Sequence, residues 1–177
     1  MSEVAREAAV SVGLVYKKFD SKLQLVNALY SEALGANDET SYAALRAKLD
    51  TFGEDARSGE LISCYAHTLR TRHERVAVTA CALRRAAHAG ESDLVAFLRA
   101  SEAHDLAAAD HLCQLLRDRG AIAEDGSVPR YRDLVWLAAL PEQYVSLVVD
   151  RAWNPSDYER WLVSTLSCWL SDLTSSG

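Results

Sequence analysis

The chain has 177 residues, of which 49% are hydrophobic and 25% charged, and its formal net charge is −6. That apolar content can fill a core and excludes a disordered chain, and the length allows one large domain or two smaller ones. With only 8 glycines and 3 prolines among many alanines and leucines, the composition predicts an all-α fold rather than a sandwich or barrel.

Apolar residues recur at spacings of three and four along the whole chain, and no alternating strand pattern stands out. The periodicity predicts short helices over 2–9 and 12–19, with a break at Val10. Ser21 and Gln24 form a capping box that opens a third helix. Its Leu25, Val26, Leu29, Ala33 and Leu34 keep helical spacing until Gly35 stops it. A helix over 39–51 follows, then the loop FGEDARSG, and residues 60–90 read as two helices meeting near 71–74. Ser92 caps a long helix that stops at Gly120, and EDGSVPR reads as a turn-rich linker. Residues 131–152 read as one helix kinked at Pro141, which removes a backbone donor. The last helix opens on Asn154 as cap, with Pro155 in its first position and Asp157 near its positive end.

Residues 1–34 carry four basic and four acidic side chains, so the acidic surplus lies in the remainder of the chain. An acidic protein has no general attraction for nucleic acid, yet Val10 to Lys22 holds three lysines against one aspartate. Two short helices around a tight turn, the second with Tyr and Lys outward, predict a helix-turn-helix. Ser11 caps the second helix, and Gly13 lets a phosphate approach the backbone because no side chain intervenes. Tyr16, Lys17 and Lys18 point from one exposed side while Val15 and Phe19 turn inward. Lys22 sits in the first turn of the third helix, where free N–H groups favour an anion. These residues suit phosphate contacts; Lys17 and Lys18, with Val12 and Leu14 against thymine methyls, are the candidate base readers.

The stretch VAREAAVSVGLVYKKFDSKLQLVNALY resembles the TetR family of bacterial transcriptional repressors. Val4-Ala5, Ala8, Val10-Ser11, Gly13, Val15-Tyr16, Phe19, Ser21-Lys22 and Leu25 carry the resemblance without a gap. It implies a DNA-binding regulator, not an enzyme, with the helix-turn-helix over 1–35 and a helical ligand-binding and dimerisation domain over 36–177. The implied partners are double-stranded operator DNA, a small-molecule effector and a second copy of the chain. Family members carry another helix before this motif, which this chain begins too late to contain. Ala9 replaces the turn glycine, a left-handed position that costs about 1 kcal/mol with alanine. The alternative reading is a helical dimer that binds a ligand or a protein and no longer reads DNA.

Candidates for a ligand cavity lie on the middle helices: Tyr65, Leu69, Phe97, Leu98, Ser101 and His104. Apolar residues of 131–152 spread over an arc of roughly 220°, too wide for one core. Trp136, Leu140 and Tyr144 from this segment, with Trp161, Thr165, Cys168 and Trp169 from the last helix, are therefore the candidate dimer interface. His104 and His111 share a face but lie seven residues apart, whereas a chelating pair prefers four, so no metal site is expected. The four cysteines form no CxxC pair and read as reduced core thiols. No glycine-rich phosphate loop, Gly-x-Ser-x-Gly or His-Glu-x-x-His is present, so neither catalysis nor a cofactor is expected. No leader is visible and no apolar run approaches the roughly 18 residues of a membrane helix, which predicts a cytoplasmic protein without a membrane partner.

Overall fold

The computed structural model describes residues 1–34, 41–90, 92–122 and 127–175. Among these residues every regular element is helical, as the composition predicts. The order is α1 (Ser2–Glu7), α2 (Val12–Lys18), α3 (Lys22–Leu34), α4 (Tyr42–Asp50), α5 (Ser58–His88), α6 (Ser92–Asp118), α7 (Ser127–Ala138), α8 (Pro141–Tyr144) and α9 (Pro155–Ser175). A π-helical turn, Val145–Val149, continues α8. The expected stop at Gly35, the start of the 39–51 helix and the first part of EDGSVPR fall outside the described residues, and Ser127 to Arg130 of that linker are the opening of α7.

The core forms around α5, which packs against α3, α4, α6, α8 and α9. Leu61, Ile62, Tyr65, Ala66, Leu69, Val76 and Ala77 are buried on it at helical spacing. Leu112 and Leu116 of α6, Tyr131 and Val135 of α7, and Tyr158, Leu162 and Leu166 of α9 complete this core. Tyr131 is buried whole because its hydroxyl donates to the Leu166 carbonyl at 2.9 Å. Gly90 and Gly120, with φ of 100° and 70°, take the left-handed conformation that ends α5 and α6.

Two elements differ from the sequence reading. Residues 58–88 form one unbroken helix of 31 residues, not two meeting near 71–74. The polar run there does not interrupt the backbone: Thr71 Oγ1 bonds back to the His67 carbonyl at 3.0 Å, while Arg72 and His73 are buried by neighbouring helices. Residues 131–152, in turn, are not one kinked helix. The backbone leaves α7 at Ala138, Leu140 is extended at ψ 137°, and Pro141 begins α8 at its first position. Sterics before proline disfavour helical backbone at the preceding residue, and a proline in a first turn removes no helical bond.

This placement sets the sign of a test. Pro141→Ala is expected to lower stability by about 1 kcal/mol in urea unfolding, through a freer unfolded chain and lost contacts. A proline inside a helix would respond with a gain approaching about 3 kcal/mol.

Candidate nucleic-acid interface and the adjoining cleft

Short-range chemistry shapes the amino-terminal helices. After α1, Ala9 takes φ 53°, the left-handed turn predicted for this position. Ser11, extended at ψ 147°, caps α2: its Oγ accepts from the Leu14 amide at 3.1 Å. Ala5 and Val15 are buried where α1 meets α2. Ser21 Oγ then accepts from the Gln24 amide at 3.1 Å, and Gln24 Oε1 accepts from the Asp20 amide at 2.6 Å. These two bonds fix the entry to α3, although Gln24 reaches the amide of Asp20 rather than that of the capping Ser21; Lys22 is half-buried in the first turn.

What α2 turns outward has no use inside the protein. Leu14 and Tyr16 are 53% and 51% exposed, Val12 is exposed beside them, and Lys17 and Lys18 are solvated. Lys18 Nζ lies 5.6 Å from the Phe19 ring centroid, and Phe19 is half-buried. A methyl group at Gly13 would meet nothing within 4 Å. Since glycine in a helix costs about 0.5–1 kcal/mol relative to alanine, its presence here answers to no internal contact.

Residues 1–29 match the sequence model of the family described as bacterial regulatory proteins, tetR family. This amino-terminal segment is similar to the DNA-binding part of that family. No curated protein and no solved structure matches it. The matched segment covers α1, α2 and the first part of α3. Of the residues expected at DNA, Ser11 serves its own helix as cap, Val12, Gly13, Tyr16, Lys17 and Lys18 are each exposed, and Lys22 is half-buried.

Behind this head, α3, α4, α5 and α6 enclose a cleft of about 590 Å³. Tyr30, Tyr42, Arg72, Phe97, Ser101 and His104 line it, and all but His104 also border a deeper cavity of about 30 Å³. Phe97, Ser101 and His104 are brought together in this cleft, with Leu98 in the deeper cavity. Tyr65 and Leu69 are corrections: at 1% and 3% exposure they belong to the main core, nearer the amino end of α5. Tyr30, Tyr42 and Arg72 escaped the sequence reading. The polar run at 71–74 was the available signal, since it breaks an otherwise apolar stripe.

The α3 helix is tied to the body beside this cleft. Arg75 Nη1 donates to the Leu34 carbonyl at 2.8 Å, and Tyr30 meets Phe97 edge-on at 5.4 Å. Deeper in, burial and the Arg72 charge pull His73 down to about 3, opposed by a bond to the Ala139 backbone. His73 is therefore neutral, with Nδ1 3.0 Å from the Tyr158 hydroxyl. Burial, then the Glu142 charge, push Asp105 up to about 7. Glu142 and Glu102 flank Arg84, at 2.9 and 3.0 Å. Two other histidines each meet a carboxylate: His111 lies 2.7 Å from Asp50, and His67 3.3 Å from Glu159. Among the described residues no three His, Cys, Asp or Glu side chains gather as metal ligands.

On the last helices, Trp136, Leu140, Trp161, Thr165 and Trp169 are half-buried, and Cys168 is exposed rather than a core thiol. Tyr144 is a further correction. It is 6% exposed and packs edge-on to Tyr158 at 5.1 Å, inside the protomer's own core. Leu137, Val149 and Trp153 extend the outward apolar surface instead. The Trp136 indole N–H is buried without a hydrogen-bond partner among the described residues. No helix is long and apolar enough to cross a membrane, among the described residues.

Two measurements follow. Gly13→Ala is expected to raise stability by about 0.5–1 kcal/mol in urea unfolding; a loss would mean that an internal contact requires the glycine. Asp105 binds its proton more tightly folded than unfolded, so stability falls as pH rises from about 4 to about 7 and then levels off. Asp105→Asn is expected to be more stable than wild type at pH 8, by up to about 4 kcal/mol, with the gap closing towards pH 4. A gap independent of pH would remove this account.

Proposed function

We propose that this protein is a homodimeric, effector-responsive repressor that binds a palindromic operator through α2. The single observation that carries the DNA reading is the outward face of α2. There apolar, tyrosyl and lysyl side chains surround a glycine for which internal packing offers no reason. Tyr16, Lys18 and Lys22 are assigned to phosphates, the Gly13 backbone to close approach, and Lys17 to base edges in the major groove.

The half-buried tryptophans of α7 and α9, with Cys168, Leu137 and Trp153 beside them, support a second copy packing on this surface. Two heads carried on such a dimer would meet half-sites about 34–36 Å apart, one turn of duplex. The cleft supports effector control because Tyr30 and Leu34 belong to both its wall and to α3. A ligand seated there would act on the helix that carries the head, and a coupling of about 1–3 kcal/mol suffices for a switch.

Selection from randomised duplexes, followed by gel shifts, tests the reading. Enrichment of a two-fold symmetric site is expected; no enrichment, or a monomer by sedimentation at micromolar concentration, rejects it. Against the selected duplex, the double variant Tyr16→Phe, Lys22→Ala is expected to weaken binding to all sequences alike and to flatten the salt dependence. Lys17→Ala should instead alter base preference. Gly13→Ala should bind more weakly although it is the more stable protein, an opposition that a general folding defect cannot produce.

A further inference from the structure

Beside the cleft, α4 and α6 leave a second space of about 270 Å³ between them. Its origin is local. Leu45 and Leu49 stand one turn apart on α4, 2% and 0% exposed, and across the space α6 is set back at Ala107 and Ala108. Larger side chains on α6 would close the gap. With alanines there, the two leucines lack part of the contact that a packed interior gives, and an apolar guest has that surface to meet.

The polar groups on its border already meet partners. His111 Nε2 lies 2.7 Å from Asp50 Oδ1, and Arg46 Nε lies 4.0 Å from Oδ2 of the same carboxylate. Two turns back along both helices, the His104 ring lies against that of Tyr42, with centroids 5.9 Å apart and planes at 32°. Between these two contacts the inner wall is Leu45, Leu49 and Ala108. An ion placed on it would give up its water for apolar surface, a cost that an uncharged molecule avoids. An apolar cavity of about 150 Å³ holds one benzene, so a space of this volume suits one ring or two fused rings.

We propose that the space between α4 and α6 is a binding site for a small uncharged aromatic molecule, seated on Leu45, Leu49 and Ala108. It is separate from the effector reading of the cleft. Tyr42, Ala43 and His104 border both spaces, but the leucines and Ala108 border this one.

Calorimetric titration with toluene, indole and 2-naphthol, beside 2-naphthoate and 2-naphthylmethylammonium, provides the test. At least one neutral compound is expected to bind about tenfold or more tightly than either ion. Ala108 is buried on the inner wall, so Ala108→Leu should abolish binding by filling the space. Ala107 is exposed on the border, so Ala107→Phe should block entry without altering thermal unfolding, which guards against an Ala108 variant that fails to fold. Ala100 is exposed on the border of the cleft, and Ala100→Trp should leave binding intact. Binding that survives Ala107→Phe and is lost in Ala100→Trp would put the guest in the cleft and overturn the proposal. Equal or tighter binding of either ion, or no binding of any neutral compound at millimolar concentration, overturns it as well.

Discussion

The continuity of α5 is the constraint on which the remaining architecture depends. Thirty-one residues without a break make a rod about 46 Å long, at 1.5 Å per residue. It meets α9 and α8 on one side and α3, α4 and α6 elsewhere, so both the tail surface and the amino-terminal head are positioned on one helix. A junction near residue 72 would have uncoupled them. Instead the same stretch of backbone presents His73 to Tyr158 in the core and Arg72 to Tyr30 and Tyr42 in the cleft.

That arrangement places polar groups where burial makes them expensive, and the structure meets the expense in different ways. His73 is neutral and bonded to both the Ala139 backbone and Tyr158. Arg84 is shared by two glutamates, and Asp105 gains a proton instead of a partner. Such groups are weak contributors to stability, because removing charge from water offsets most of the attraction. These groups are concentrated between α5, α6 and α8. The main core is more apolar: Leu112, Leu162 and Leu166 are fully buried there, and the Tyr131 hydroxyl is satisfied by the Leu166 carbonyl.

The head follows the opposite economy of contacts. Three short helices are set by two serine caps and one strained alanine, and only Ala5, Val15, Leu25, Val26 and Leu34 are buried among them. Its outward face keeps Leu14 and Tyr16 in water. Exposure of that kind contributes nothing to folding.

The sequence by itself determined the features whose causes lie within about four residues. The left-handed turn at Ala9, the caps at Ser11 and Ser21, the stop at Gly120 and the outward side of α2 are all of this kind. Those local rules also made the family motif legible, since its spacing is the spacing of one turn and two caps. Only the tertiary structure decided which helix faces are covered. Tyr144 was legible as apolar surface but packs on Tyr158, and along α5 Tyr65 and Leu69 meet the main core while Arg72, further along the helix, borders the cleft. Arg72 meets Tyr30 across 42 residues of sequence. The physical reason is range: backbone conformation answers to near neighbours, whereas burial and charge answer to helices that are distant along the chain and adjacent only once it has packed.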